Sequence, residues 1–188
     1  MATLDELVDN VVMEVPDAPL MTIRDMLRWA GRRLCTEADV WVERDGPIVA
    51  GADTDYPEVI VPAGAEALRI RELKTDDDFT YELGVHFTQP TPSTVAFEID
   101  PSDSLLYGEL AVRPQPGKTP PESVMERYYE ALCDGARSRL FLLPQPWQNA
   151  DLATLYQRRF QAAITEAKQH AQLGHARGTR RVKARRFI

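Results

Sequence analysis

The hydrophobic period of this chain changes twice. Apolar residues recur at helical spacing up to about residue 38, at every second position through the middle, and at helical spacing again from Met125 onward. Helical stripes at both ends must bury themselves against each other, because neither pair of helices completes a core alone. The strands between them must find partners among themselves. The expected class is α+β, with helices of residues 1–38 and 119–173 forming one bundle and an antiparallel β-rich domain inserted at 39–113.

The first helix is marked by Thr3-Leu4-Asp5-Glu6, which has capping-box spacing. Leu4, Leu7, Val8, Val11 and Val12 follow on one face, and Pro16 and Pro19 end the segment. A second stripe starts near Thr22 with Ile23, Leu27, Ala30 and Leu34, and Met26 lies alongside. Arg24, Arg28 and Arg32 make a basic row on another face of the same helix. That row reads as a solvated face or, in an oligomer, as one that pairs with acids of a neighbouring subunit. The short break between the two helices predicts an antiparallel hairpin.

From Asp39 the period is two. Phe79, Tyr81, Leu83, Val85 and Phe87 alternate with polar residues and Gly84, which predicts one half-buried strand with His86 on its solvent side. Val95, Phe97 and Ile99 alternate in the same way, as do Leu106, Gly108, Leu110 and Val112. Weaker strands are expected at 40–43, 59–61 and 68–73, and the set predicts a small sandwich or open barrel. Seven of the 14 prolines fall between Pro90 and Pro121, marking loops and the exit from this region. Thr119-Pro120-Pro121-Glu122 predicts a second capping box. One helix is then expected along Met125, Tyr128, Leu132, Ala136, Leu140 and Leu143. Another, capped by Asn149, is expected along Leu152, Leu155, Tyr156, Phe160, Ala163, Ile164 and Ala167.

Charge is segregated along the 188 residues. The net charge is −7, yet residues 174–188 carry six basic side chains and no acid, so the remaining 173 hold 16 Lys and Arg against 29 acids, or −13. Residues 75–110 contain eight acids and no Lys or Arg. The basic stretch comprises Arg177, Arg180, Arg181, Lys183, Arg185 and Arg186, and then the apolar pair Phe187 and Ile188. Fully extended, its last 12 residues reach about 40 Å, enough to dock on another protein or to run along nucleic acid. Such an asymmetry speaks about partners rather than fold.

Several function classes lose their footing here. No stretch of about 18 apolar residues exists to span a membrane, and the acidic start lacks the features of a secretory signal. Cys35 and Cys133 form no CxxC pair, which argues against a disulfide scaffold or zinc ribbon and for a reducing compartment. Phosphate-loop, dinucleotide, zinc-protease and serine-hydrolase motifs are absent. His86, His170 and His175 lack metal-ligand spacing with each other or with the cysteines. The runs Asp76-Asp77-Asp78 and Asp100 with Asp103 read as solvated turns rather than metal sites. No catalytic residue, metal or cofactor is expected.

Four stretches carry a likeness. Residues 3–15 are an acidic apolar helix before a proline-rich break. Residues 23–41 are a helix closing on Cys35, with Trp41 where the β region opens. Residues 125–140 are followed by Pro146-Trp147, then Leu152-Ala153, Tyr156 and Phe160. The last is Arg185-Arg186-Phe187. In these features the chain resembles the head-to-tail adaptor (connector) proteins of tailed bacteriophages. The resemblance implies a homo-oligomeric ring of twelve subunits docked beneath the portal protein. The helices would build the ring and the basic arm of residues 174–188 would engage the portal. The β domain would face the downstream tail or nozzle protein. Packaged DNA would pass an acid-rich channel without specific binding, since like charge repels phosphates. Assembly would take place in the host cytoplasm and the mature location would be the neck of the virion.

Three other readings compete. A nucleic-acid-binding protein using the basic stretch would bind DNA with steep salt dependence, though the rest of the chain is strongly acidic. An acid-pair hydrolase would need two carboxylates converging in a cleft. Another neck component, a stopper or tail-completion protein, would differ only in its neighbours.

Overall fold

The computed structural model describes residues 3–50, 56–75, 79–99, 101 and 105–173. Its helices are α1 (Leu4–Val12), α2 (Leu20–Ala38), α3 (Glu122–Arg127), α4 (Tyr129–Leu140) and α5 (Ala150–Leu173). Between α2 and α3 lie β1 (Val42–Glu43), β2 (Pro47–Ala50), β3 (Glu58–Val59), β4 (Ala65–Lys74), β5 (Thr80–Tyr81), β6 (Phe87–Thr91), β7 (Thr94–Phe97) and β8 (Leu105–Pro114). The protein is α+β, and every pairing between its named strands is antiparallel.

The helix signals of the sequence act as read at two places. Thr3 Oγ1 accepts from the Glu6 backbone while Glu6 reaches back to the Thr3 backbone, completing the capping box. Asn149 Oδ1 accepts from the backbone of Asp151 and Leu152, both at 3.1 Å, satisfying donors that the first turn of α5 leaves free. At Thr119 the reading fails. The helix begins at Glu122 with Pro121 as its cap residue and no side-chain cap bond, because two consecutive prolines carry the chain past Thr119 in extended conformation. The single helix expected through Leu143 is also interrupted. Tyr128 leaves helical geometry at φ −115°, ψ 28°, separating α3 from α4, and α4 ends at Leu140.

One apolar core draws on helices from both ends of the chain. Leu7, Val8 and Val11 of α1 and Ile23, Leu27, Ala30 and Leu34 of α2 meet Leu132, Ala136 and Leu140 of α4 and Tyr156, Phe160 and Ile164 of α5. Each large side chain buried there contributes about 1.5–3 kcal/mol. The contact is tight at Gly135, where an added Cβ would lie 2.9 Å from Ala30 Cβ and 3.1 Å from the Phe160 ring. Leu155, expected on the buried face of α5, is 43% exposed, because Ala153 and Tyr156 take that face instead.

A second core fills the sheet with Ile48, Val49, Ile70, Leu73, Phe87, Val95, Leu106, Leu110 and Val112. The strand order is β5-β4-β8-β2-β3-β7-β6, with β1 also on β8. Thus β8 is the hub: β4 runs along one edge, and β1 and β2 follow each other along the other. The sheet curls until its distant strands approach, and the Ile70 backbone N–H of β4 donates to Gln89 Oε1 of β6 at 3.0 Å. Against β8, β4 shifts register twice, between Ala67 and Arg69 and between Ile70 and Glu72. At the second shift Gly108 holds φ +149°, and a Cβ on it would sit 2.1 Å from the Glu72 carbonyl oxygen.

The strand expected from Phe79 to Thr88 is a correction. Only Thr80–Tyr81 and Phe87–Thr91 are strands, and residues 82–86 turn. Gly84 at φ +80° permits the reversal, and His86 returns its backbone N–H to the Glu82 carbonyl at 2.9 Å. Leu83 and Val85 consequently face solvent, 62% and 58% exposed, and His86 lies in the turn rather than on a strand. Strand β2 was not anticipated. Its run Pro47-Ile48-Val49-Ala50 does not alternate, since Ile48 and Val49 are both buried.

Candidate functional site

The basic row of α2 is held within the chain. Arg24 Nη2 pairs with Asp5 Oδ1 of α1 at 2.8 Å, and Arg28 Nη1 with Asp25 Oδ1 at 3.1 Å. Arg32 reaches the sheet: Nη2 donates to Glu66 Oε2 at 2.8 Å and Nη1 to the Pro114 carbonyl. Arg113 Nε meets the same Glu66 oxygen at 3.0 Å. These two guanidinium groups hold the Glu66 carboxyl below the usual carboxylate range, the Arg32 bond being the largest cause and partial burial opposing it. A second tie lies one turn on, where Arg69 of β4 donates to the Thr36 carbonyl at 3.2 Å and meets Asp39 at 3.1 Å. Helices and sheet are therefore joined by a charged seam rather than by continuous apolar packing.

A buried arginine that the sequence pattern did not single out fastens α1 to α4. The Arg137 side chain is 6% exposed. Its Nη2 donates to Asn10 Oδ1 at 2.6 Å and meets Glu14 at 3.2 Å, and Nη1 meets Asp134 at 3.3 Å. Glu14 also accepts from the Tyr156 hydroxyl. Burial pushes the Asp134 carboxyl up, and the Arg137 charge offsets part of that rise. Its neighbours in sequence are Ala136 and Ser138, so nothing local announces its depth.

A cleft of about 220 Å³ opens between helices and sheet, lined by Arg44, Arg71, Arg127, Tyr128 and His170 among others. These arginines come from β1's flank, β4 and the end of α3, so tertiary packing alone brings them together. A neighbouring groove beside α3, α4 and α5 is rimmed by Glu126, Glu130 and Glu166.

The sheet also presents an exposed apolar cluster. Phe79, Leu83, Val85 and Ile99 are each more than half exposed. The Phe79 ring lies 5.6 Å from that of His86, and Glu98 donates its backbone N–H to the His86 carbonyl at 2.9 Å, which brings Ile99 beside the turn. Patches of this kind on a folded chain mark contact surfaces. Gly84 within an otherwise alternating run is the sequence signal that would have found it.

The residues tied to reactive chemistry are placed as follows. Cys35 and Cys133 are buried free thiols, and burial pushes both up to about 12, so both stay protonated at neutral pH. His86 Nδ1 accepts from the Glu82 backbone at 2.9 Å. His170, late in α5, lies 3.6 Å from Glu166. Among the described residues no three His, Cys, Asp or Glu side chains converge as a metal site, and no helix is long and apolar enough to cross a membrane. The runs Asp76-Asp77-Asp78 and Asp100 with Asp103, His175 and the whole basic stretch of Arg177, Arg180, Arg181, Lys183, Arg185, Arg186, Phe187 and Ile188 lie outside the described residues. Compared with known proteins, the chain matches no family model and no curated protein.

Proposed function

We propose that the chain is a structural head-to-tail adaptor of a tailed bacteriophage, one subunit of a twelve-membered ring that joins portal to tail and lines the DNA exit channel. In this reading residues 1–38 and 119–173 are a helical bundle, residues 39–113 a β-rich domain inserted into it, and residues 174–188 an arm that docks on the portal. The β domain meets the downstream tail or nozzle protein. DNA passes without specific binding, and the mature protein resides in the virion neck.

The observation that carries the reading is the pairing of two chemically different contact surfaces on one chain. A basic stretch with six cationic side chains follows α5, and an exposed apolar cluster of Phe79, Leu83, Val85 and Ile99 sits in a sheet segment otherwise rich in acids. A joint between two unlike neighbours needs two unlike surfaces. Arg side chains on the arm would make charge-assisted bonds to an acidic portal surface.

Co-sedimentation with the portal ring of the same genome tests this, comparing the full chain with one ending at Ala176. Saturable binding by the full chain alone assigns the arm to the portal. Equal binding by both keeps the adaptor and moves the contact to the helices, with Arg24, Arg28 and Arg32 the first residues to vary. Binding by neither discards the adaptor, and tight salt-dependent DNA binding by the full chain would replace it with the nucleic-acid reading.

A further inference from the structure

We propose that the cleft between helices and sheet is an oxyanion site, in which Arg44, Arg71 and Arg127 hold a single carboxylate or phosphate group. Nothing in this inference depends on the adaptor reading.

Glu109 of β8 sets two of the three cations side by side: it accepts from Arg44 Nε at 2.8 Å and lies 3.7 Å from Arg71 Nη1. Arg71 is fixed further by a 2.8 Å bond from Nη2 to the Ala171 carbonyl in the last turn of α5, and its side chain is 24% exposed. A guanidinium has five donors, so these bonds leave several uncommitted on each side chain. Arg127 is the third cation. Its guanidinium lies 5.5 Å from the centre of the Tyr128 ring, and it has no ion-pair partner among the described residues. The lining acid, Asp39, is engaged by Arg69 at 3.1 Å.

One carboxylate shared by two arginines, plus an unpaired third, leaves the cleft cationic on a chain whose net charge is −7. Arg71 is the desolvated member, while Arg44, 63% exposed, and Arg127, also exposed, stand at the mouth. Like charges gathered in a concave place repel, and an anion relieves that repulsion. The planar fork of guanidinium suits carboxylate and phosphate alike. A volume of about 220 Å³ admits one such group on a short stem and excludes a helix or a nucleotide. Arg71 is already positioned by Glu109 and the Ala171 carbonyl, so little ordering of that side chain opposes binding.

Thermal unfolding of the full chain in inorganic phosphate, against chloride at matched ionic strength, tests the site. A short glutamate-rich peptide serves as the second probe. With Kd on the order of millimolar, phosphate at ten times Kd raises Tm by about 3–6 °C. The rise is saturable. It is lost in Arg127→Gln and in Arg44→Gln, and retained in Arg158→Gln, an exposed arginine on α5 outside the cleft. A peptide Kd at least tenfold below that of phosphate identifies the ligand as a partner's carboxylate, and a Kd equal or weaker identifies free phosphate. The same rise in all three variants, or no rise beyond chloride for either probe, overturns the site.

Discussion

Arg32 Nη2 lies 2.8 Å from Glu66 Oε2, and this pair fastens α2 to β4 across the boundary between the two apolar cores. Because Arg113 meets the same oxygen at 3.0 Å, the carboxylate bridges two cations that would otherwise repel each other. The Glu66 carboxyl is held below its ordinary value, so its contribution to stability is present in full above that value and is lost as pH falls through the lowered one. Glu66→Gln is expected to cost about 1 kcal/mol at pH 7. The difference between variant and parent should shrink as pH drops below about 4. Urea melts at pH 7, 4.5 and 3 check it, and a pH-independent difference would show that the charge is not what matters.

Gly108 and Gly46 offer a matched comparison of crowding with backbone conformation alone. Both have positive φ, +149° and +97°, but only Gly108 has a neighbour within 4 Å of a prospective Cβ. Gly46→Ala should cost about 1 kcal/mol. Gly108→Ala must also push the Glu72 carbonyl away, and should cost about 3 kcal/mol or more. For a chain of this size that separates the melting temperatures by roughly 4–8 °C. Similar losses in the two variants would mean that β4 and β8 are not in close contact at the bulge.

Arg137→Met should be among the most damaging single changes in the helices. It leaves Glu14, Asp134 and the Asn10 side chain without their shared cation, with Asp134 14% exposed. The expected loss is about 3–5 kcal/mol. Arg137→Lys should recover only part, because one ammonium cannot serve acceptors on two helices at once. Chemical denaturation of the three proteins checks the order. A Met variant within 1 kcal/mol of the parent would show that the network is not an anchor.

What could be read beforehand follows the range of the interactions involved. The capping box at Thr3, the Asn149 cap and the alternation of Leu106, Leu110 and Val112 in β8 are local, and local chemistry decides them. The alternation through Phe79 and Phe87 was misleading because Gly84 can reverse the chain at little cost, and the pattern alone does not say whether it does. The doubled proline at Pro120-Pro121 displaced the Thr119 cap for a similarly local reason, but one that competes with the box. The arginine cleft and the Arg137 network were not legible at all. Arg44, Arg71 and Arg127 are 27 and 56 residues apart along the chain, and only docking of helices on the sheet makes them neighbours.

The central place of β8 has a consequence for synthesis on the ribosome. Strands β1, β2 and β4 all precede the strand they pair with, and α1 and α2 precede the helices that cover them. The sheet core cannot close until β8 has emerged, and the helical core cannot close until α4 and α5 have followed. Until then the stripe of Ile23, Leu27, Ala30 and Leu34 and the unpaired edges of β4 are open to water and to other nascent chains. The sheet can therefore complete its core before the helices complete theirs, and a product terminated ahead of β8 has closed neither.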